Sequence, residues 1–117
     1  GVLDLMYLVV SSAELPLLEE EGSIQGLLAC YLGELRSAAG GKADGYEEEE
    51  LGRHMKLAAL EYARTVFAYQ LKGKTPDFVR KGEKLLGRCS HNRNMPHLRW
   101  FVGYLDGAMT EFEASKL

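Results

Sequence analysis

The stretch from residue 47 to residue 71 constrains the fold more than any other part of the chain, because it is apolar on two sides at helical spacing. The main stripe consists of Leu51, Met55, Ala58, Ala59, Tyr62, Val66 and Tyr69. At a rotation of about 100° per residue, a second stripe lies on the opposite side of the helix. It consists of Leu57, Leu60, Phe67 and Leu71. A helix that is apolar on two faces is normally covered from both sides. We therefore predict that residues 47–71 form a long central helix.

A short helix is predicted over residues 3–10, which are apolar nearly all round and should therefore be buried. A β-strand is the local alternative, since Leu8, Val9 and Val10 are typical of strands. The helix is favoured because Leu and Met dominate the rest of the segment and no second strand is available to pair with it. Residues 11–16, which include two serines and a proline, are predicted to form a turn.

Three further helices are predicted from apolar spacing and from residues that start or stop helices. They cover residues 23–39, residues 76 to about 87, and the segment from Met95 onward. Ser23 is the predicted cap of the first, Gly40 its stop, and Thr75 the cap of the second. The predicted fold class is all-α, with about five helices around the 47–71 helix in a single domain spanning residues 1–117.

Composition and charge argue against several classes of function. The net charge is −3 and no basic patch stands out, so nucleic acid is not an expected partner. The apolar opening has no basic leader or cleavage site and is too short to span a bilayer, so no membrane association is predicted. Two cysteines do not make a disulfide framework, and a cytoplasmic location is predicted. Because Gly1 begins a segment typical of a buried helix, we expect the chain to be a fragment of a longer protein.

No complete catalytic or metal-binding set is found along the chain. Cys89, His91 and His97 carry side chains that bind metals, but their spacing is irregular and a fourth ligand is missing. Cys89 and His91 also lack a third group that would orient them as a nucleophile and its base. We predict no catalytic residue and no metal site in this segment.

An acidic run and a pair of aromatic residues each have two interpretations. A structural role is favoured for both, and a ligand-binding role is the alternative. The run Glu47–Glu50 is typical of a solvated helix start, and the alternative is an acidic patch for a cationic ligand. Trp100 and Tyr104 lie one turn apart on the last helix. Packing at the core or its rim is favoured for them, and an aromatic face for a cation is the alternative.

Two charged residues lie within apolar patterns. Asp4 belongs to the 3–10 helix, and a buried carboxylate needs hydrogen-bond donors or a positive partner. Arg64 lies on the second stripe of the central helix, with Glu61 one turn before it. We predict that Arg64 is partly buried and forms a buried ion pair with Glu61 or, as a tertiary alternative, with Asp4.

The N-terminal part of the chain resembles a known family. Residues 1–12 read GVLDLMYLVVSS, which is similar to the G-x-x-D-L-A-Y-x-L-x-x-S stretch of the aminoglycoside phosphotransferase and choline kinase-like family. Residues 27–35, LLACYLGEL, resemble that family's L-L-x-x-Y-x-x-x-L helix. Residues 55–60, MKLAAL, resemble its Y-R-L-A-x-L helix, with His54 and Met55 departing from the expected aromatic. The resemblance covers about residues 1 to 72.

This resemblance implies the helical C-terminal part of a kinase lobe, with ATP and Mg²⁺ as cofactors of the parent protein and a small hydroxylated molecule as substrate. Asp4 would match the family aspartate that braces the catalytic loop. The catalytic residues do not carry over, because neither the His-Gly-Asp loop nor the metal-binding aspartate occurs in this sequence. We therefore expect the segment to supply substrate specificity and to be inactive alone. Its expected partners are the remaining kinase lobe or a second copy.

The alternative hypothesis is a self-contained helical module that binds another protein. The two hypotheses differ in what should precede Gly1 in the gene. A kinase-lobe segment should follow an H-G-D-x-x-x-x-N motif and a metal-binding aspartate, whereas an autonomous module should not.

Overall fold

A computed structural model describes residues 1–86 and 95–116. Within these ranges the chain is helical and contains no β-strand. The elements in chain order are α1 (Val2–Ser12), α2 (Leu15–Glu19), α3 (Ser23–Ala39), α4 (Glu48–Ala63), a π-helical segment (Arg64–Gln70), α5 (Pro76–Leu86) and α6 (Met95–Ser115). The predicted all-α class is confirmed, with six α-helices in the described ranges in place of about five.

α4 lies at the centre of the molecule. α1, α3 and α6 pack against it, while α2 packs against α3 and α6, and α5 packs against α6. The buried side chains of α4 belong to the predicted main stripe and are Leu51, Met55, Ala58 and Ala59. Leu57, on the predicted second stripe, is 44% exposed. The central position of this helix is confirmed, but the prediction that it is covered on both sides is wrong for the described part of the chain.

The helix that begins with α4 changes its geometry at Arg64. In the π-helical segment the backbone N–H of Leu71 donates to the carbonyl of Val66, five residues earlier, at 2.8 Å. These wider turns rotate the following side chains. As a result Tyr69, which α-helical periodicity places on the buried stripe, is 72% exposed, although Val66 is buried. The stripe calculated for a continuous α-helix therefore holds as far as Val66 and fails at Tyr69.

α1 buries one face rather than its whole circumference. The buried residues are Leu5, Met6, Val9, Val10 and Ser11. On the opposite side Leu3, Tyr7 and Leu8 are each more than half exposed. The prediction that this helix is buried nearly all round is wrong, because no described element packs over its outer side.

The ends of α2, α3 and α5 agree only in part with the capping and stop residues predicted from the sequence. The predicted turn at 11–16 is partly replaced by α2, which has Pro16 in its first turn, where the missing N–H is tolerated. α3 has the predicted length and ends at Gly40 in the left-handed region (φ 57°), but its N-cap is Gly22 and not Ser23. α5 starts as predicted, since the Phe78 N–H donates to Thr75 Oγ1 at 3.2 Å.

Phe101 of α6 lies at the middle of the core and is fully buried. Its ring lies 6.3 Å from that of Tyr62 and stacks on Phe67 at 6.1 Å, measured between centroids. The buried His97 donates its Nε2–H to the carbonyl of Ala13 at 3.1 Å, since a carbonyl can only accept. This bond fixes α6 against the connection between α1 and α2.

Candidate functional site

A cleft of about 530 Å³ lies where α2, α3, α4 and α6 meet. Its volume falls within the range of about 300–1,000 Å³ that is usual for small-molecule sites. The apolar part of its wall comes from Leu18, Ile24 and Leu28, and α6 contributes Trp100 and Tyr104. We refer to this space as the α4–α6 cleft.

Trp100 and Tyr104 form an aromatic surface in the α4–α6 cleft. The two residues lie one turn apart on α6, and their rings stack with centroids 5.5 Å apart and an interplanar angle of 26°. Burial, and to a smaller extent the carboxylate of Glu111, raise the pKa of Tyr104 to about 12. The phenol is neutral at physiological pH, and the wall of the cleft includes two adjacent aromatic rings.

Carboxylates outnumber cations around this aromatic surface. The four acidic lining residues are Glu20, Glu48, Glu49 and Glu111, and the two basic ones are Arg53 and Lys56, so the lining carries a net charge of −2. Glu48 and Glu49 lie in the first turn of α4, where the helix dipole favours negative charge. Lys56 pairs with Glu111 and so joins α4 to α6.

The combination of π-faces and carboxylates suits a small organic cation. A cation is attracted by the negative face of an aromatic ring and by a nearby carboxylate. Gln25 also lines the cleft and offers an amide that can donate to or accept from a hydroxyl group. The cleft therefore offers aromatic, anionic and hydrogen-bonding groups to a ligand.

Asp4 does not lie in the environment that the sequence predicts. Its side chain is 91% exposed, and Oδ2 accepts a hydrogen bond from the amino group of Gly1 at 2.7 Å. This hydrogen bond, together with the positive charge of the amino group, lowers the pKa of Asp4. The prediction of a buried carboxylate is wrong, because Asp4 lies in the first turn of α1 on its uncovered side.

Arg64 forms the predicted pair with Glu61 but does so in solvent. Nη2 of Arg64 donates to Oε1 of Glu61 at 2.5 Å, and the two side chains are 65% and 55% exposed. The prediction of a buried pair is wrong, because both side chains are more than half exposed to solvent. Asp4 bonds to Gly1 and is not a partner of Arg64.

The remaining sequence candidates divide between the α4–α6 cleft and other places. Glu48 and Glu49 of the acidic run line the cleft together with Trp100 and Tyr104, so two separate alternatives meet at one site. Cys89 and His91 lie outside the described residues, and His97 makes the structural bond to Ala13. In the described ranges no group of three or more His, Cys, Asp or Glu side chains could hold a metal ion.

Several cleft residues were not identified from the sequence. Arg53 and Lys56 share a face of α4 with Glu48 and Glu49, and a helical-wheel analysis of the polar positions would have grouped these four. Glu20 and Glu111 come from distant segments, and no local pattern connects them to α4. Only the packing of α2 and α6 brings them to the cleft.

Comparison with known proteins gives no match to any family model, to any curated protein or to any solved structure. None of the helices in the described ranges combines the length and the apolarity needed to cross a membrane.

Proposed function

We propose that this chain is the substrate-side helical part of an ATP-dependent kinase of small hydroxylated molecules, and that the α4–α6 cleft binds a cationic alcohol. Two independent features support the proposal. The first is the resemblance of residues 1–72 to the aminoglycoside phosphotransferase and choline kinase-like family. The second is the juxtaposition of Glu48 and Glu49 with the stacked rings of Trp100 and Tyr104, which is the observation that carries the choice of ligand.

The cation preference follows from the magnitudes of the interactions in the cleft. A cation over an aromatic face gains about 0.5–2 kcal/mol, and each exposed carboxylate adds about 0.2–1 kcal/mol. A neutral alcohol of the same shape would gain neither contribution. Weak binding with strong discrimination by charge is therefore the expected behaviour.

Under this proposal ATP and Mg²⁺ are cofactors of the parent protein, and they are bound outside this segment. The sequence of the segment has no phosphate-binding loop. Under the proposal, a segment that supplies the catalytic loop also handles the nucleotide, and these residues select the substrate. We further propose a cytoplasmic location, in keeping with the free thiol of Cys30 on the surface of α3.

Calorimetric titration with choline tests this proposal. The control ligand is a neutral molecule of the same shape, and the control variant loses the same charge outside the cleft. We expect saturable binding of choline and no detectable binding of its neutral isostere, in which a carbon replaces the quaternary nitrogen. The double variant Glu48→Gln/Glu49→Gln should weaken binding about fivefold, as expected for two partly exposed carboxylates. The control variant Glu14→Gln/Glu34→Gln removes the same charge from exposed positions outside the cleft and should bind as the wild type does. Equal binding of choline and its isostere would refute the proposal.

The second candidate function is a helical protein-interaction module, and the apolar outer side of α1 favours it. Leu3, Tyr7 and Leu8 are exposed there, and Leu17 of α2 is 54% exposed close to Leu8, in the wall of a shallow apolar groove. A contiguous exposed apolar surface commonly marks a contact with another protein. In the kinase hypothesis the rest of the lobe would cover this side. Choline binding separates the two candidates, because the interaction module gives no reason for a cation-selective cleft.

A further inference from the structure

A second cavity, of about 460 Å³, lies between the π-helical segment, the start of α5, and α6. Its walls are predominantly apolar and include Phe67, Leu71, Val79, Leu98 and Val102. We refer to it as the α5–α6 cavity. It shares no lining residue with the α4–α6 cleft, so it is a separate site.

The charges that line the α5–α6 cavity are all positive. Among its described lining residues the ionisable side chains are Lys74 and Arg99, and no carboxylate is present. Arg99 is exposed, and no carboxylate of the described residues forms an ion pair with it. The ammonium of Lys74 lies 4.4 Å from the ring centroid of Phe78, which places it beside the first turn of α5. An apolar cavity with cations on its wall is complementary to an amphipathic anion.

The π-helical segment contributes to the shape of this cavity. Its wider turns leave Val66 buried in the core while Phe67, the next residue, stacks on Phe101 and also lines the cavity. π-Helical turns are rare in proteins and frequently occur at functional sites. The aromatic wall of the cavity therefore depends on the irregular segment of the chain.

We propose that the α5–α6 cavity binds a single-chain fatty carboxylate. The alkyl chain would lie against Leu71, Val79 and Leu98, where burial of apolar surface supplies most of the affinity. The carboxylate would accept hydrogen bonds from Arg99, whose planar guanidinium matches two carboxylate oxygens at once, with Lys74 adding a second positive charge. This proposal does not depend on the cation-binding function, because the two sites differ in residues and in the sign of their charge.

Titration of the full chain with decanoate tests the proposal, with decyltrimethylammonium as a ligand of equal chain length and opposite charge. We expect decanoate to bind saturably below its micellar concentration and at least fivefold more tightly than the cationic amphiphile. Arg99→Gln and Lys74→Gln should each weaken decanoate binding about twofold to fivefold, as for partly exposed charged contacts. Arg53→Gln removes an exposed cation from the α4–α6 cleft and serves as the matched control, which should bind decanoate as the wild type does.

A third variant, Val102→Asp, places a carboxylate on the cavity wall at a position that is 51% exposed, so the fold should tolerate it. We expect it to weaken decanoate binding and to strengthen binding of decyltrimethylammonium. The proposal is overturned if decanoate does not bind, if both amphiphiles bind equally, or if Arg53→Gln reduces the affinity as much as Arg99→Gln does.

Discussion

Tyr104 combines a ring in the wall of the α4–α6 cleft with a hydroxyl whose ionisation is suppressed. Burial of the phenol raises its pKa from the ordinary value of 10.0 to about 12, and the charge of Glu111 adds to the effect. A folded-state pKa above the unfolded-state value means that the neutral form favours folding. The resulting stability is fully present below pH 10 and is lost as the pH rises towards 12.

We therefore predict that alkaline pH destabilises the wild type more than a Tyr104→Phe variant. Urea midpoints measured at intervals between pH 9 and pH 12 should diverge above about pH 10, because only the wild type must keep a buried phenol protonated. Tyr7→Phe, at an exposed position, is the control and should follow the wild type. Parallel curves for wild type and Tyr104→Phe would contradict this account of Tyr104.

Arg64 shows how exposure reduces the energetic value of an ion pair. With both side chains more than half exposed, the pair with Glu61 gains little over the solvated charges. We predict that Arg64→Ala lowers the free energy of unfolding by about 1 kcal/mol or less, whereas a buried pair would lose about 3–5 kcal/mol. Urea denaturation measures the difference. A loss above about 2 kcal/mol would mean that Arg64 is buried in solution, in conflict with the structure.

At the scale of elements, α6 stabilises the fold by inserting one large side chain between the central helix and the π-helical segment. Phe101 is fully buried and contacts the rings of Tyr62 and Phe67, whereas Val102, the next residue, is 51% exposed. We predict that Phe101→Ala costs about 3–5 kcal/mol, because it removes a large apolar group and leaves a cavity. Val102→Ala should cost about 0.5 kcal/mol or less.

Chemical denaturation of both variants checks this prediction. Since the substitutions are adjacent on one helix and both end in alanine, helix propensity differs little between them and burial is the main difference. Similar losses in the free energy of unfolding for Phe101→Ala and Val102→Ala would show that α6 turns a different face towards the core.

The helices that could be predicted from the sequence are those with local signals at their ends. The Thr75 cap and the Gly40 stop fixed the start of α5 and the end of α3, because the residues that satisfy those backbone groups are neighbours in sequence. α2 was missed because Pro16 is compatible with both a turn and a first helical turn. No local pattern marks the π-helical turns, so Tyr69 was placed on the buried stripe, whereas Val66 was placed correctly.

The candidate site was predictable only in parts. The acidic run and the Trp100–Tyr104 pair each carried a cation-binding alternative, yet nothing in the sequence indicated that they face the same space. Their juxtaposition depends on the packing of α6 against α4, which is a tertiary contact. Burial of Asp4 and Arg64 was wrongly predicted for a related reason, since an apolar stripe does not specify what covers it.

For the molecule as a whole, the outer side of α1 leaves large apolar side chains exposed to solvent. We predict that the chain associates at high concentration or binds a hydrophobic dye, because Leu3, Tyr7 and Leu8 leave apolar surface in solvent. Analytical ultracentrifugation over a concentration series measures the association. The variant Leu3→Glu/Leu8→Glu should reduce it.

A control for this prediction is Met109→Glu on α6, where the replaced side chain is 53% exposed, much as Leu8 is. It should leave association and dye binding unchanged. A wild type that stays monomeric at all concentrations and binds no dye would contradict the prediction.

The fluorescence of Trp100 can show whether the α4–α6 cleft selects cations. Trp100 is the only tryptophan in the chain and lines the cleft, so its emission reports on this site alone. We predict a saturable change in emission with choline and no change with the neutral isostere. In Glu48→Gln/Glu49→Gln the choline concentration at the midpoint should rise about fivefold. An emission that choline leaves unaltered, or that both ligands alter equally, would contradict the claim.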